Sequence, residues 1–328
     1  MNLVEKAVLQ GGKLAPLVIP NAIGAMNPSV FIDNDGDILV NVRVVNYTLY
    51  HAENNQLFPS RWGCLSYLHP EGDQRLVTEN YLCRVDKNLN LTDSTKVEML
   101  ELHKPIWEFV GLEDARLVQW EGYYYLIGVR RDTTTNGVGR MEYSLLDFDK
   151  ENWIAKESHR TRMPAPDPNN SYCEKNWVPI LDKPYSFIKW SMPTELVISD
   201  PRDSFTEQKF VKPTPPAPAD QRGSSQVIRW GNMYISITHE VNLFHNYLKQ
   251  KDAIYRHRLL IWDEQFNFAG LSKPFSFLDA RVEFCVGASV FDGDLLLSWS
   301  FQDNAAFLLQ VPKLVVEDLI MEALAYEH

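Results

Sequence analysis

The sequence has few cysteines, no long apolar run and no excess of positive charge. Its four cysteines, Cys64, Cys83, Cys173 and Cys285, are scattered without CxxC spacing, so neither a disulfide framework nor a zinc ribbon is indicated. No stretch reaches the roughly 18 apolar residues that span a bilayer, and the first twenty residues lack the continuous apolar segment of a secretory signal. We therefore expect a cytoplasmic protein with reduced thiols and no membrane partner.

The acidic charge balance limits the partners further. A net charge of −11 over 328 residues gives no long-range attraction to nucleic acid, whose binding depends on Lys and Arg neutralising phosphates. Nucleic acid is therefore not an expected partner, although a local basic pocket for a smaller anion stays open. With 45% apolar and 23% charged residues, the composition is that of a folded globular chain.

A two-strand unit recurs five times along the chain. Each copy is a short apolar or aromatic run, a turn containing Gly, Asp, Asn or Pro, and a second run, which is typical of a β-hairpin. The copies are NPSVFIDNDGDILVNVRVVNY, GLEDARLVQWEGYYYLIGVRRD, EKNWVPILDKPYSFIKW, GSSQVIRWGNMYISITHE and GASVFDGDLLLSWSFQD. Further strands are predicted after four of them, at GCLSYL, RMEYSLLDF, TELVISD and YRHRLLIWD.

Three or four strands per unit, repeated, predict the blades of a propeller. We expect an all-β, five-bladed β-propeller forming one domain over residues 1–328, with the blades at roughly 20–310. Helical periodicity is seen only near the C-terminus, where it predicts a short helix at about 312–326. The proline-rich stretch VKPTPPAPADQRG is interpreted as a loop between the third and fourth blades.

The hairpins predict one site at one face. In a hairpin, the start of the first strand and the end of the second lie together, away from the turn. If the five hairpins are the inner strands of five blades, these open ends converge around the central axis. Asn27 and Tyr47 stand at these ends, and the candidate site residues at or near them are Arg43, Asn46, Glu113, Asp114, Arg116, Arg130, Arg131, Lys175, Asn176, His239, Tyr255, Glu283 and Asp303.

The residue types at these ends favour glycosyl chemistry beside a phosphate. A carboxyl group such as Asp114 can give a proton to a leaving oxygen or take one. An oxyanion could be bound by the basic candidates, which are Arg43, Arg130, Arg131, Lys175 and His239. Aromatic residues near the ends, Trp107, Trp177 and Tyr255, could stack on sugar faces. When phosphate takes part, the second carboxylate that a hydrolase uses to activate water is not needed.

Five sequence blocks resemble a known family. They are NPSV…NVRVVNY, GLEDARL…GYYYLIGVRRD, EKNWVPI, ITHEV and VGASVFDGDLLLSWSFQDNAAF, and they resemble the five-bladed propellers of glycoside hydrolase family 130 and the related glycosyltransferase family 108. Those enzymes are chiefly mannoside phosphorylases and mannosyltransferases. GLEDARL is similar to the family motif Gly-x-Glu-Asp-Pro-Arg, with Ala115 in place of its proline. The resemblance implies that Asp114 is the catalytic acid and that Arg130 or Arg131, Lys175 and His239 bind phosphate.

The sequence thus predicts transfer of a hexosyl group, mannosyl by resemblance, from a phosphate-activated donor to a carbohydrate-like acceptor. The donor would be a sugar phosphate or a sugar nucleotide such as GDP-mannose, and Glu113 and Arg116 would fix Asp114. One alternative is a mannoside hydrolase, whose second carboxylate would be Glu240, Glu283 or Asp303. The other alternative is a carbohydrate-binding propeller without catalysis.

Simpler interpretations of single residues also stay open. Glu113, Asp114 and Arg116 could form a surface salt-bridge cluster, and His239 could be a satisfied buried histidine. His239, His245 and His257 lack the spacing of a metal site, so no metal or cofactor is expected. The oligomeric state, a homo-oligomer included, is not predicted.

Overall fold

A computed structural model describes residues 1–50, 66–68, 75–167, 173–245, 249 and 251–326. Five sheets in it are arranged as the blades of a five-bladed β-propeller, which confirms the predicted fold class. The first strands of blades 1, 2 and 5 contact one another, and the first strand of blade 3 contacts that of blade 2, so these strands surround the axis.

Each blade is a sheet whose strands succeed one another from the axis outward. Blade 1 contains Gly24–Ile32, Ile38–Val45, Leu76–Val85 and Leu91–Lys96, with Phe109–Val110 alongside Leu76–Val85. Blade 2 contains Glu113–Trp120, Tyr123–Arg130, Arg140–Asp149 and Ile154–Arg162. Blade 3 contains Val178–Pro179, Ser186–Trp190, Thr194–Ile198 and Glu207–Lys212. Blade 4 contains Arg222–Gly223 and Ile228–Trp230, then Met233–His245, Lys251–Trp262 and Phe268–Leu271. Blade 5 contains Glu283–Phe291, Asp294–Phe301, Ala305–Val311 and Lys13–Leu17.

Blade 5 is closed by a strand from the other end of the chain. Lys13–Leu17 pairs antiparallel with Ala305–Val311, so the outermost strand of the last blade comes from the N-terminal segment. This pairing joins the two ends of the blade array and covers a strand edge that would otherwise be open. A short helix, Leu3–Leu9, precedes the strand and begins with a capping box between Asn2 and Glu5. The sequence analysis predicted neither element.

Two further sequence predictions concern an outer strand of blade 1 and the connection between blades 3 and 4. A strand was predicted at GCLSYL, and Ser66–Leu68 within it is a strand, but the third strand of blade 1 is Leu76–Val85, which was not predicted. Ser66–Leu68 pairs instead with Thr48–Tyr50, and residues 63–65 lie outside the described residues. The proline-rich stretch connects Glu207–Lys212 of blade 3 to the start of blade 4, as predicted.

The C-terminal helix is observed at Lys313–Leu324, within the predicted range. Its side chains Val315, Val316, Leu319 and Ile320 are buried in a core cluster with strands of blades 4 and 5. In the ranges that the structure describes, neither helix combines the length and apolarity needed to cross a membrane.

The propeller axis is filled by side chains. Gln226 of blade 4 is fully buried, and its amide donates to Ser29 Oγ at 2.9 Å and to the Leu117 carbonyl at 3.2 Å. Its Oε1 accepts from the Ala288 amide at 2.9 Å. One side chain therefore ties blades 1, 2, 4 and 5 together, and a ligand at the axis would bind at its mouth.

Candidate active site

Asp114 lies at a β-bulge near the start of blade 2. The pairing of the first two strands shifts between Arg116–Ile127 and Glu113–Val129, which leaves Gly128 opposite both Asp114 and Ala115. Asp114 has a left-handed φ of +51°, a conformation that non-glycine residues adopt mainly in strained or functional positions. A Cβ on Gly128 would lie 2.5 Å from the Glu113 carbonyl oxygen, so only glycine permits this bulge. Because bulges redirect side chains, the Asp114 carboxyl departs from the regular alternation of the strand.

Two side chains of blade 1 hold one oxygen of the Asp114 carboxylate. Arg43 Nη1 donates to Oδ1 at 2.8 Å, and Asn27 Nδ2 donates to the same atom at 2.6 Å. Within the described residues, no hydrogen bond reaches Oδ2, and the side chain retains 20% of its exposure. One carboxylate oxygen is thus fixed, and the other is open to a substrate.

The surroundings of Asp114 favour its ionised form. Burial raises the pKa of this carboxyl, but the charges of Arg43 and Arg116 and the hydrogen bond from Asn27 outweigh burial and hold it below its usual value. Asp114 is therefore a carboxylate at neutral pH and can accept a proton.

Arg43 is itself held rigidly. It is 6% exposed, and its Nε donates to Thr78 Oγ1 at 3.0 Å while its Nη2 donates to the Tyr47 hydroxyl at 2.8 Å. The same Nη2 lies 3.4 Å from Glu113 Oε2. Burial and the neighbouring Asp114 raise the pKa of Glu113, and Arg43 opposes this rise. Arg43 is thus shared by two adjacent carboxylates that differ in proton affinity.

Arg116 stabilises the backbone at the bulge. Its guanidinium donates to the Asp114 carbonyl from Nη1 at 2.9 Å and to the Ser224 carbonyl from Nη2 at 2.8 Å and Nε at 3.2 Å. Arg116 is 1% exposed, and burial lowers its pKa to about 10. It therefore fixes the backbone of Asp114 to blade 4 and is not itself available to a substrate.

Blades 4 and 5 also contribute to the axial mouth, through Tyr255 and His239 of blade 4 and Asp303 of blade 5. Burial and the Asp114 charge raise the pKa of Asp303 to about 6, although Arg43 opposes this. Burial and the charges of Asp303 and Asp114 raise the pKa of Tyr255 to about 12. These mutual effects indicate that the Asp114, Asp303 and Tyr255 side chains face one mouth.

His239 is buried and neutral. Its ring stacks on Tyr255 at 5.9 Å between centroids and meets the Phe284 ring edge-on at 4.8 Å. Burial, reinforced by positive neighbours that include Arg222 and Lys175, holds the pKa of His239 well below its usual value. Its Nδ1 has no hydrogen-bond partner among the described residues. His239 can thus offer a hydrogen bond to a ligand, but not the positive charge expected from the sequence.

Two basic candidates remain at the rim. The Arg131 side chain is 29% exposed, its guanidinium lies 5.0 Å from the Phe109 ring centroid, and its Nε is 3.9 Å from Glu113 Oε1. Lys175 is exposed, and its charge acts on both Glu113 and His239. Asn176, which follows it, has a left-handed φ of +61°. Arg131 and Lys175 are the cations best placed to meet an anion at the mouth.

Three sequence candidates are engaged in structural contacts instead. Arg130 is 3% exposed and its Nε lies 2.9 Å from Glu142 Oε2, because it points to the opposite side of the strand end from Arg131. Glu283 is fully buried and accepts the backbone amides of residues 277, 278 and 280, so it caps a loop. Asn46 accepts from the Val77 amide and so ties two strands of blade 1 together. The structure does not bring these three to the axial mouth.

Three further residues contribute to the site, and two of them, Asn27 and Tyr47, were expected at the open hairpin ends. Asn27 binds Asp114 directly, Tyr47 binds Arg43, and Arg222 pairs in register with His239. Asn27 and Tyr47 stand at the open ends of the first hairpin, which was the available signal. Arg222 was not recognised, because it belongs to a two-residue strand directly after the proline-rich loop.

No group of three or more His, Cys, Asp or Glu side chains in the described ranges could hold a metal ion.

Comparisons with known proteins give a consistent fold. No protein-family model matches the chain, and no curated protein matches it in sequence. Among solved structures, the β-1,2-mannobiose phosphorylase from Listeria innocua is similar with a TM-score of 0.55 at 14% identity, covering 94% of this chain and 97% of that one. MPT-1, a GDP-Man-dependent mannosyltransferase from Leishmania mexicana, has a TM-score of 0.53 at 12% identity, covering 91% and 89%. MPT-4, a mannose phosphorylase from Leishmania mexicana, has a TM-score of 0.50 at 11% identity, covering 94% and 91%. The chain therefore has the five-bladed propeller fold of these enzymes, and the resemblance predicted from its sequence is confirmed at the level of the fold.

Proposed function

We propose that the chain is a glycosyl-transferring enzyme that moves a hexosyl group, mannosyl in the first instance, between a phosphate-activated donor and a carbohydrate hydroxyl. The observation that carries this proposal is the state of Asp114. Its carboxylate is ionised, fixed through Oδ1 and open at Oδ2, at the mouth of the propeller axis. A carboxylate with one oxygen fixed and the other free beside the substrate can take the proton of an acceptor hydroxyl.

The proposed transfer breaks one bond at the sugar C1 and forms another. The bond between the sugar C1 and the donor phosphate oxygen breaks, and the phosphate leaves with the electron pair. A bond forms between C1 and the acceptor oxygen, and Asp114 takes the hydroxyl proton. In the reverse direction the protonated Asp114 returns that proton to the glycosidic oxygen as phosphate attacks C1. The same residue thus serves as base in transfer and as acid in phosphorolysis.

The cations at the rim support the phosphate half of this proposal. Arg131 and Lys175 are exposed enough to meet a phosphate, and both lie close enough to Glu113 for their charges to affect it. A guanidinium and an ammonium group beside a leaving phosphate stabilise its developing charge. The mannose-processing neighbours in fold make a mannosyl donor the first to test.

Hydrolysis remains the second candidate, because Asp303 offers a second carboxyl at the same mouth with a pKa of about 6. An inverting hydrolase would use it to activate water. The other two carboxylates considered from the sequence are occupied, Glu240 by Arg258 at 2.8 Å and Glu283 by backbone amides. The hydrolase alternative therefore depends on Asp303 alone.

The test is a donor screen with purified protein. Sugar 1-phosphates and sugar nucleotides, mannose 1-phosphate and GDP-mannose included, are incubated with manno-oligosaccharides, and released phosphate or nucleotide is measured together with free sugar. We expect release that requires the acceptor and falls about 10²- to 10⁴-fold in Asp114→Asn. Asp318→Asn, an exposed aspartate on the C-terminal helix, is the matched control.

Each outcome separates the alternatives. Free sugar released at the same rate without any acceptor would favour hydrolysis. Unchanged turnover in Asp114→Asn would refute the assigned proton carrier. Glycan binding with no turnover of any donor would favour a binding propeller.

A further inference from the structure

A hollow opens between blades 3 and 4, beside the candidate active site. Its walls include Lys175, Trp177, Lys189, Trp190, Arg222 and Gly223. Trp190 ends the second strand of blade 3 and Arg222 begins the first strand of blade 4, so both lie at open hairpin ends, on the face that carries Asp114. The hollow thus adjoins the axial mouth.

The shape of the hollow depends on one close backbone approach. A Cβ on Gly223 would lie 2.4 Å from the Asn176 carbonyl oxygen and 2.7 Å from a Val178 methyl group. Glycine at this position therefore allows the segment around Lys175 to pack against the first strand of blade 4. The two cations, Lys175 and Arg222, come from the two segments that meet at this point.

The hollow is positively charged in an acidic protein. Its lining contains Lys175, Lys189 and Arg222 but a single carboxylate, Glu174, giving a net charge of +2 where the whole chain has −11. Glu174 is itself engaged, since Trp177 Nε1 donates to its Oε2 at 2.9 Å. A positive local field of this kind attracts an anionic ligand.

The three cations differ in availability. Lys189 lies 3.6 Å from Glu195 and 3.9 Å from Glu174, so its charge is largely compensated. Arg222 pairs with Asp220, whose side chain is 61% exposed, and such solvated pairs exchange readily. Lys175 takes part in no ion pair among the residues that the structure describes. Lys175 and Arg222 can therefore bind an incoming anion.

Trp190 supplies the apolar part of the hollow. Its side chain is 40% exposed, which is unusual for the largest apolar residue, and Lys189 Nζ lies 5.6 Å from its ring centroid. An indole held beside cations presents a flat surface on which a sugar or a base can stack.

Because the hollow itself has only about 30 Å³ of free space, we infer that it receives the phosphate or carboxylate of a ligand between Lys175 and Arg222, while the ring that carries this anion lies at its edge on the exposed Trp190. The inference rests on the proposed function, in which Lys175 meets an anionic group of the substrate, and it adds the ring that this group carries. Two sources share this chemistry. One is an acidic sugar unit of the acceptor, and the other is the nucleoside diphosphate of the donor.

The test measures equilibrium binding, which does not require turnover. Mannose 6-phosphate and GDP are the two complete probes; mannose and guanosine are the corresponding ring halves, and inorganic phosphate is the anionic half. We expect at least one complete probe to bind about tenfold or more tightly than either half, because stacking and charge pairing act together. We expect Trp190→Ala and Arg222→Gln each to weaken that probe about tenfold. Tight binding of mannose 6-phosphate indicates an acidic acceptor, and tight binding of GDP indicates a nucleotide donor.

Blade 4 offers matched controls at its opposite end. Arg229 is exposed and paired with Glu264, as Arg222 is with Asp220, and Trp230 lies beside it at the hairpin turn. Arg229→Gln and Trp230→Ala should leave probe binding unchanged. Equal binding of complete probes and halves, or binding insensitive to both Trp190→Ala and Arg222→Gln, would overturn the inference. Retained probe binding in an Asp114→Asn variant that has no turnover separates this result from the test of the proposed function.

Discussion

Two clusters of arginines and carboxylates lie in neighbouring parts of this molecule, and they are built differently. The axial cluster consists of Arg43, Glu113, Asp114 and Asp303. The blade-2 cluster consists of Arg130, Asp132, Glu142, Glu157 and Arg160, with Arg162 at its edge. Both join residues of successive strands, and Arg130 of the second cluster was predicted from sequence to belong with the first.

The blade-2 cluster is sealed and charge-balanced. Glu142 is 2% exposed, and its Oε1 accepts a hydrogen bond from Thr133 Oγ1 at 2.8 Å. It also forms ion pairs with Arg130, at 2.9 Å from Nε to Oε2, and with Arg162, at 3.3 Å from Nη2 to Oε1. Glu157 is similarly buried and paired with Arg160. Its three arginines match its three carboxylates, so no charge is left for a ligand.

The axial cluster has more carboxylates than cations. Glu113, Asp114 and Asp303 share the buried Arg43, while a second buried guanidinium, on Arg116, binds backbone carbonyls and Arg131 lies at the rim, 3.9 Å from Glu113. Asp114 and Asp303 also have left-handed φ values of +51°. Backbone strain, a carboxylate oxygen without a partner and carboxyl pKa values shifted in opposite directions indicate a functional cluster. Equal numbers of positive and negative charges, held in ion pairs with each other, indicate a structural one.

Of these substitutions, Asp114→Asn is expected to have the largest effect, and it should act on the reaction rate and not on stability. Loss of the proton carrier should lower turnover of an accepted donor about 10²- to 10⁴-fold. Arg43 keeps the charges of Glu113 and Asp303, and asparagine keeps an oxygen for Arg43 and Asn27, so the melting temperature should change little. Steady-state kinetics and thermal unfolding on the same preparation check both parts, and a large loss of melting temperature would mean that Asp114 is structural.

Glu142→Gln should show the opposite pattern. Removal of its charge leaves Arg130 buried with a weaker partner, which should reduce the free energy of unfolding by about 3–5 kcal/mol. Chemical denaturation measures this value. Glu317→Gln, which removes an exposed pair with Lys313, is the control and should change stability by less than about 1 kcal/mol. A stable Glu142→Gln protein would contradict the structural role of the cluster.

Asp303→Asn should stabilise the protein in a pH-dependent manner. Asp303 has a folded pKa of about 6, raised by burial from an ordinary value near 3.8, so the folded state keeps this proton to higher pH than the unfolded state. Ionisation of Asp303 therefore lowers stability as pH rises from about 4 through 6, by about 1–3 kcal/mol. The variant avoids this loss, so its melting temperature should exceed that of the parent at pH 7.5 and match it at pH 4. Equal differences at both pH values would show that Asp303 is not perturbed.

The repeat made the blades predictable, because hairpin signals are local. A turn such as Asp-Gly between apolar runs specifies its own pairing, and five of them specify a closed array. The closure itself was not predictable, since Lys13–Leu17 pairs with a strand almost 300 positions away. Nothing local distinguishes it from any short edge strand. The third strand of blade 1 was missed for a related reason, because a long insertion separates it from its hairpin.

The candidate site was predicted in position more than in detail. Hairpin geometry brings Arg43, Glu113 and Asp114 to one mouth, as the open-end argument requires. It does not say on which side of a strand each residue points, and a bulge changes that side by one residue. Arg130 was included for this reason, since side-chain direction depends on register, whereas Arg222 was omitted because it belongs to a two-residue strand directly after the proline-rich loop.

The adjacent arginines Arg130 and Arg131 give the smallest and most specific test of the comparison. Arg131 is partly exposed and close to Glu113, whereas Arg130 is buried against Glu142. Arg131→Gln should therefore raise the KM for a phosphate-activated donor and lower its kcat, so that kcat/KM falls about tenfold, as expected for loss of one charge-assisted contact of about 1.5 kcal/mol, with the melting temperature little changed. Arg130→Gln should lower the melting temperature and leave the KM of the folded fraction unaltered. If the two variants exchanged these phenotypes, the division into an axial site and a structural blade-2 cluster would be wrong.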